Sequence, residues 1–157
     1  MFYGWGTWEA SWLWSILLIS ITVAIHATGI VAIARTLARF ENQSTSERDP
    51  NDFAEFGAIG SIVSVSLALA LLLGVESGVW AIAYVRLDAL TSPSDAVLYS
   101  FDSMTTRGAS GLLLAEPWRL MGALESADGL LLFGISTSFL FSVMSRLLGA
   151  RVREAER

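Results

Sequence analysis

The chain has 157 residues, a net charge of −5 and 54% hydrophobic residues. Its mean hydropathy of +0.56 and its long apolar runs exclude an ordinary water-soluble domain, and its acidic balance argues against nucleic-acid binding, which wants a basic surface. The absence of cysteine excludes a disulfide framework, a thiolate metal site and a cysteine nucleophile.

The first fourteen residues carry Tyr3, Trp5, Trp8, Trp12 and Trp14. Indole and phenol rings favour the water–lipid boundary, so this stretch reads as an interfacial anchor. It has no basic n-region, which argues against a cleaved signal peptide. Trp12 to Ala34 is the first expected span; twenty-three residues at about 1.5 Å each reach roughly 34 Å, enough for a bilayer core of about 30 Å. His26 is the only histidine and falls inside this span. It is either a functional intramembrane group or a packed, neutral imidazole hydrogen-bonded to a neighbouring helix. Gly29 allows another helix to approach closely.

Arg35 to Glu55 is polar and reads as a connector, with Asn42-Gln43-Ser44-Thr45-Ser46 and Asp49-Pro50 as loop signals. Phe56 to Val85 is the second span and begins with small residues suited to tight packing in lipid. Glu76 lies within it, and a carboxyl at that depth requires a partner. Arg86 to Ser94 is a short link, with Ser94 as an expected cap. Asp95 to Thr105 then reads as a helix too short to cross a bilayer. A short helix followed by glycine-containing irregular chain is tolerated at membrane depth only inside protein or beside water. Pro117-Trp118-Arg119 is a turn, and Leu120 to Leu148 is the last helix, with Glu125 and Asp128 in its first turns and Gly129 and Gly134 punctuating it.

Arginine placement gives an orientation. Arg35, Arg39 and Arg48 lie in the connector, and Arg146, Arg151, Arg153 and Arg157 lie at the end of the last helix and in the tail. The positive-inside rule puts both segments in the cytoplasm and the N-terminus outside. The short helix then enters from outside. The first two spans carry no regularly spaced internal arginines, so no voltage sensor is expected.

The segment Asp95 to Met144 resembles the tetrameric potassium-channel family: an aromatic short helix, Thr105-Thr106, Trp118-Arg119-Leu120, Gly129, and Phe133-Gly134. The usual filter of that family reads Thr-Thr-Val-Gly-Tyr-Gly-Asp-Leu; here the register reads Thr105-Thr106-Arg107-Gly108-Ala109-Ser110-Gly111-Leu112. The first two spans resemble small bacterial members with an extra N-terminal helix. The resemblance implies an all-α integral membrane protein of three transmembrane helices plus a re-entrant pore helix and filter loop. Its parts are an N-terminal anchor and extra helix (1–39), a connector (40–55), a pore module (56–148) and a short cytoplasmic tail (149–157). Within the module lie a pore helix (95–105), a filter-like loop (106–111) and an inner helix (120–148). It implies a homotetramer in lipid, in a bacterial inner membrane.

In such a filter, backbone carbonyls replace the water shell of the ion, and glycines permit the backbone that aims them inward. Arg107, Ala109 and Ser110 depart from the family pattern, and Gly111 stands where aspartate is usual. A ring of four arginines would favour anions or block cations, unless Arg107 turns to a carboxylate, with Asp102 and Glu76 as expected partners. Glu125 and Asp128 are further candidates in that layer. Ser138, Phe141 and Ser145 share one face of the last helix; Phe141 either closes a hydrophobic gate or packs against the outer helices, and Gly129 and Gly134 are candidate hinges.

The leading expectation is an ion channel with altered selectivity: non-selective, anion-permeable or blocked by Arg107. The second is a non-conducting structural or regulatory protein on the same scaffold. An enzyme or transporter is the third, motivated by His26, Glu76 and Asp128, but no nucleophile–base pair, metal spacing, phosphate loop or internal repeat supports it. No cofactor, metal or nucleic-acid partner is expected; a permeant or bound monovalent ion is.

Overall fold

A computed structural model describes residues 5–44, 54–108 and 111–155. In chain order the elements are α1 (Trp5–Ser44), α2 (Ala54–Arg86), α3 (Pro93–Met104), one turn of 3₁₀ helix (Glu116–Trp118) and α4 (Arg119–Ala155). There is no strand among the described residues. Among the described residues three segments are long and apolar enough to cross a membrane: Trp8–Phe40, Gly57–Arg86 and Glu116–Leu147. A helix pairs its backbone polar groups within itself, as hydrocarbon requires. The described elements are thus all helical, with the length and composition of a membrane protein.

Several boundaries differ from the sequence reading. α1 runs through Arg35 to Ser44, so the first half of the expected connector is helical. That stretch contains neither Gly nor Pro and is rich in Ala, Leu, Arg and Glu, all good helix formers. The rest of the connector, residues 45–53, lies outside the described residues. α3 starts at Pro93 and its cap is Ser92, whose side chain accepts from the Asp95 N–H at 3.4 Å. Ser94 is not the cap, because proline fits the first helical position with its φ already set. α3 has 12 residues, roughly 18 Å, well short of a bilayer. α4 continues past Leu148 to Ala155.

The chain divides into two compact units. The first takes in the described part of Met1–His26 together with Leu73–Phe133. Its core gathers Leu18, Trp80, Tyr84, Tyr99, Met104, Leu114, Met121 and Leu132, with Tyr84 and Tyr99 edge to face at 5.4 Å. The second comprises Ala27–Leu72 and the described part of Gly134–Arg157. Its smaller core is Val65, Leu69 and Val143, flanked by Ile33, Leu37, Phe139 and Leu140. Within this unit the Leu72 side chain fills the space beside Gly29, where an added Cβ would meet its Cδ2 at 2.6 Å. Large apolar side chains such as Leu67, Leu71, Ile82 and Leu130 stay exposed, the surface a chain presents to lipid or to further copies rather than to water.

Candidate functional site

The chain that follows α3 is built around Asp102. Its backbone carbonyl accepts from Arg107 N at 2.9 Å and from Gly108 N at 3.3 Å, and the Ser103 carbonyl accepts from Thr106 N at 2.9 Å. These bonds form a Schellman closure, whose residue just past the cap is left-handed. That residue is Thr106, at φ 56°. Glycine usually occupies this place; a β-branched residue there is a genuine backbone outlier. Among the described residues of this loop, Gly108 (φ 85°) and Gly111 (φ 80°) are also left-handed, a conformation only glycine takes without steric cost. Ala109 and Ser110 lie outside the described residues.

The Asp102 side chain closes the same turn from the other side. Its Oδ1 accepts from Arg107 Nη1 at 3.0 Å, with Asp102 3% and Arg107 68% exposed. Of the two carboxyls expected to draw Arg107, Asp102 is the one it meets. Asp102 therefore holds both the backbone and the guanidinium of the loop. Thr105 Oγ1 donates back to the Phe101 carbonyl at 2.7 Å, so its hydroxyl stays on α3.

A second polar cluster is buried in the first unit. Glu76, Glu125 and His26 are fully buried and Asp128 nearly so. His26 Nδ1 lies 2.9 Å from Glu76 Oε1, which makes His26 a packed imidazole bonded to a neighbouring helix and supplies the partner Glu76 requires. Asp128 Oδ2 accepts from Thr22 Oγ1 at 2.7 Å and from Trp80 Nε1 at 3.1 Å. Glu125 Oε2 pairs with Tyr84 Oη at 2.6 Å, and its Oε1 with Ser100 Oγ. Ser100 in turn bonds the Ser77 carbonyl and hydroxyl. Burial pushes the Tyr99 phenol, packed beside this cluster, above its ordinary range.

Glu125 therefore ties α4 to α2 and α3, while Asp128 ties α4 to α1 and α2. Neither carboxyl reaches Arg107. The cluster supports the packing behind α3 rather than the loop directly. Thr22, Ser77, Trp80, Tyr84 and Ser100 were not among the expected site residues. A spacing signal was present for most of them: Thr22 and His26, and Glu76, Trp80 and Tyr84, recur every four residues, so each set shares a helix face.

The glycines of α4 differ in what surrounds them. A Cβ on Gly129 would lie 2.2 Å from the Met104 carbonyl oxygen and 2.8 Å from its C and Cα. Gly129 is thus the point where the backbone at the end of α3 touches α4. Gly134 has nothing within 4 Å of such a Cβ. Within the second unit, Ser138 and Phe141 are exposed, Phe141 at 71%, whereas Phe139 packs against the core.

Among the described residues no group of three or more His, Asp or Glu side chains is arranged to hold a metal ion. No protein-family model matches the chain, and neither curated proteins nor solved structures give a match.

Proposed function

We propose that the chain is the pore-forming subunit of a homotetrameric pore-loop ion channel resembling potassium channels, with an extra N-terminal helix and an altered filter. The observation that carries this reading is the segment between α2 and α4. A 12-residue helix that cannot cross a bilayer ends in an irregular loop with left-handed backbone at Thr106, Gly108 and Gly111. It does so between two helices long enough to span. Such chain at membrane depth belongs inside protein or beside a water path, and one copy cannot enclose a path, so four copies around an axis complete it.

In this reading α3 is the re-entrant pore helix, residues 106–111 line the narrowest part, and α4 is the inner helix. Asp102 compensates the Arg107 charge within each subunit, which removes the anion preference that an unpaired arginine ring would give and leaves selectivity to the backbone carbonyls of the loop. With Ser110 in place of the second glycine and Ala109 in place of the aromatic, discrimination between potassium and sodium is weak. Phe141, with its open face, is the candidate constriction. The connector and tail face the cytoplasm by the arginine distribution.

The test is potassium efflux from proteoliposomes loaded with protein shown to be tetrameric. Efflux well above that of empty liposomes supports a channel. No efflux from tetramers would favour the second reading, a non-conducting protein on the same scaffold; the 68% exposure of Arg107, which leaves a guanidinium at the mouth of the loop, is the observation on its side.

A further inference from the structure

The buried cluster contains two defects that one ligand repairs. Glu76 Oε2 and Asp128 Oδ1 have no hydrogen-bond partner, although both side chains are almost completely buried. An acceptor left unpaired in a dry interior costs about 1–3 kcal/mol, more if it is charged. The two carboxyls share one layer: Thr22 and Trp80, which bond Asp128, each lie one helical turn from the His26–Glu76 pair, on the same faces of α1 and α2. Two full negative charges buried in one cluster are disfavoured where dielectric screening is weak.

The donors already present settle where a proton would go. Trp80 Nε1 can only donate, and it points at Asp128 Oδ2, where Thr22 Oγ1 also lies. Asp128 Oδ2 is therefore an acceptor, and an acid proton on this residue belongs on Oδ1. On Glu76 the imidazole occupies Oε1, which leaves Oε2 as the open acceptor. We propose that Glu76 and Asp128 form a proton-binding site that holds one proton per chain between Asp128 Oδ1 and Glu76 Oε2, directly or through one water molecule. That single proton turns two unpaired acceptors into a donor and an acceptor and removes one negative charge. The other ionisable groups at the cluster are His26 on α1, Tyr84 on α2, Tyr99 on α3 and Glu125 on α4; of these only the imidazole can carry a positive charge, and it faces Oε1. The proton bridges α2 to α4 where α1 also contributes Thr22 and His26. The site does not rest on the channel reading, since all of its groups come from one chain.

The test is infrared spectroscopy of the full-length chain in lipid nanodiscs at neutral pH, reading the C=O stretch of protonated carboxyls and its shift in heavy water. Wild type shows such a band, and the band persists in Glu125→Gln. One component is lost in Asp128→Asn and again in Glu76→Gln, because either amide supplies a fixed N–H in place of the shared proton. Each single amide keeps wild-type stability, whereas Asp128→Leu, which supplies no donor, does not. Absence of a protonated-carboxyl band from wild type overturns the proposal, as does its complete loss in Glu125→Gln. Full retention of the band in both single amides overturns it as well. Should the amide variants fail to fold, the wild-type and Glu125→Gln spectra still decide. A wild-type spectrum without the band, combined with stabilisation by sodium, would assign the site to a metal cation instead.

Discussion

Placing a methyl group on Gly129 probes the contact that holds α3 against α4. The added Cβ would sit 2.2 Å from the Met104 carbonyl oxygen, with the Met104 C and Cα both at 2.8 Å. These are backbone atoms, so no rotamer change relieves the overlap. Met104 is buried at 2% and leads directly into the Asp102-centred turn, so it cannot retreat without breaking that turn. Overpacking of a tight site costs about 1–3 kcal/mol, and so close an overlap belongs at the upper end. Alanine regains roughly 1 kcal/mol of helix propensity over glycine, leaving a net loss of about 2 kcal/mol, on the order of a 30-fold change in the folding equilibrium. Equilibrium unfolding in mixed micelles, followed by circular dichroism, measures it. Gly134→Ala is the matched control: with nothing within 4 Å of its Cβ, it gains about 0.5–1 kcal/mol. If Gly129→Ala proves as stable as Gly134→Ala, the α3–α4 contact is not as described. A hinge at Gly129 would instead leave stability intact and change only the opening of a pore.

Thr106→Gly removes the left-handed strain at φ 56° and raises stability by about 1–2 kcal/mol, read in the same unfolding assay; a loss of stability would mean that the Thr106 side chain supplies more than its backbone costs. His26→Leu leaves Glu76 Oε1 without its imidazole donor and destabilises by about 1–3 kcal/mol; in a double-mutant cycle with Glu76→Leu the two changes are non-additive by at least 0.5 kcal/mol or so, and strict additivity contradicts the pairing. Asp102→Ala costs more than Arg107→Ala, because Asp102 is buried and Arg107 is 68% exposed, so the guanidinium's own share is only about 0–1 kcal/mol. Equal losses would mean that the ion pair itself carries the turn.

Most of the helical layout was legible because the apolar runs are long and the arginines lie outside them. The ends were less so: Arg35 to Ser44 is polar enough to read as loop, yet it contains no residue that breaks a helix, and α1 continues through it. The Ser92 cap was hidden by its neighbour Ser94, and only the proline between them distinguishes the two. Partners for Glu76 and Arg107 could be demanded from the cost of burying charge, but which residue answers is a matter of helix rotation. Glu125 and Asp128 were candidates for the carboxylate layer behind the loop, but their partners there, Tyr84, Ser100, Thr22 and Trp80, depend on the rotation of α4. Thr106 as the strained residue could not be read from sequence, because it depends on where α3 stops.

The central claim, a cation path lined by residues 106–111, is tested most directly by the reversal potential of single tetramers in planar bilayers under a KCl gradient, wild type beside Arg107→Val. With the Arg107 charge held by Asp102, the account predicts current in wild type that reverses near the potassium equilibrium potential and keeps that sign in the variant. Reversal near the chloride equilibrium potential, or silence of both proteins as demonstrated tetramers, would contradict it.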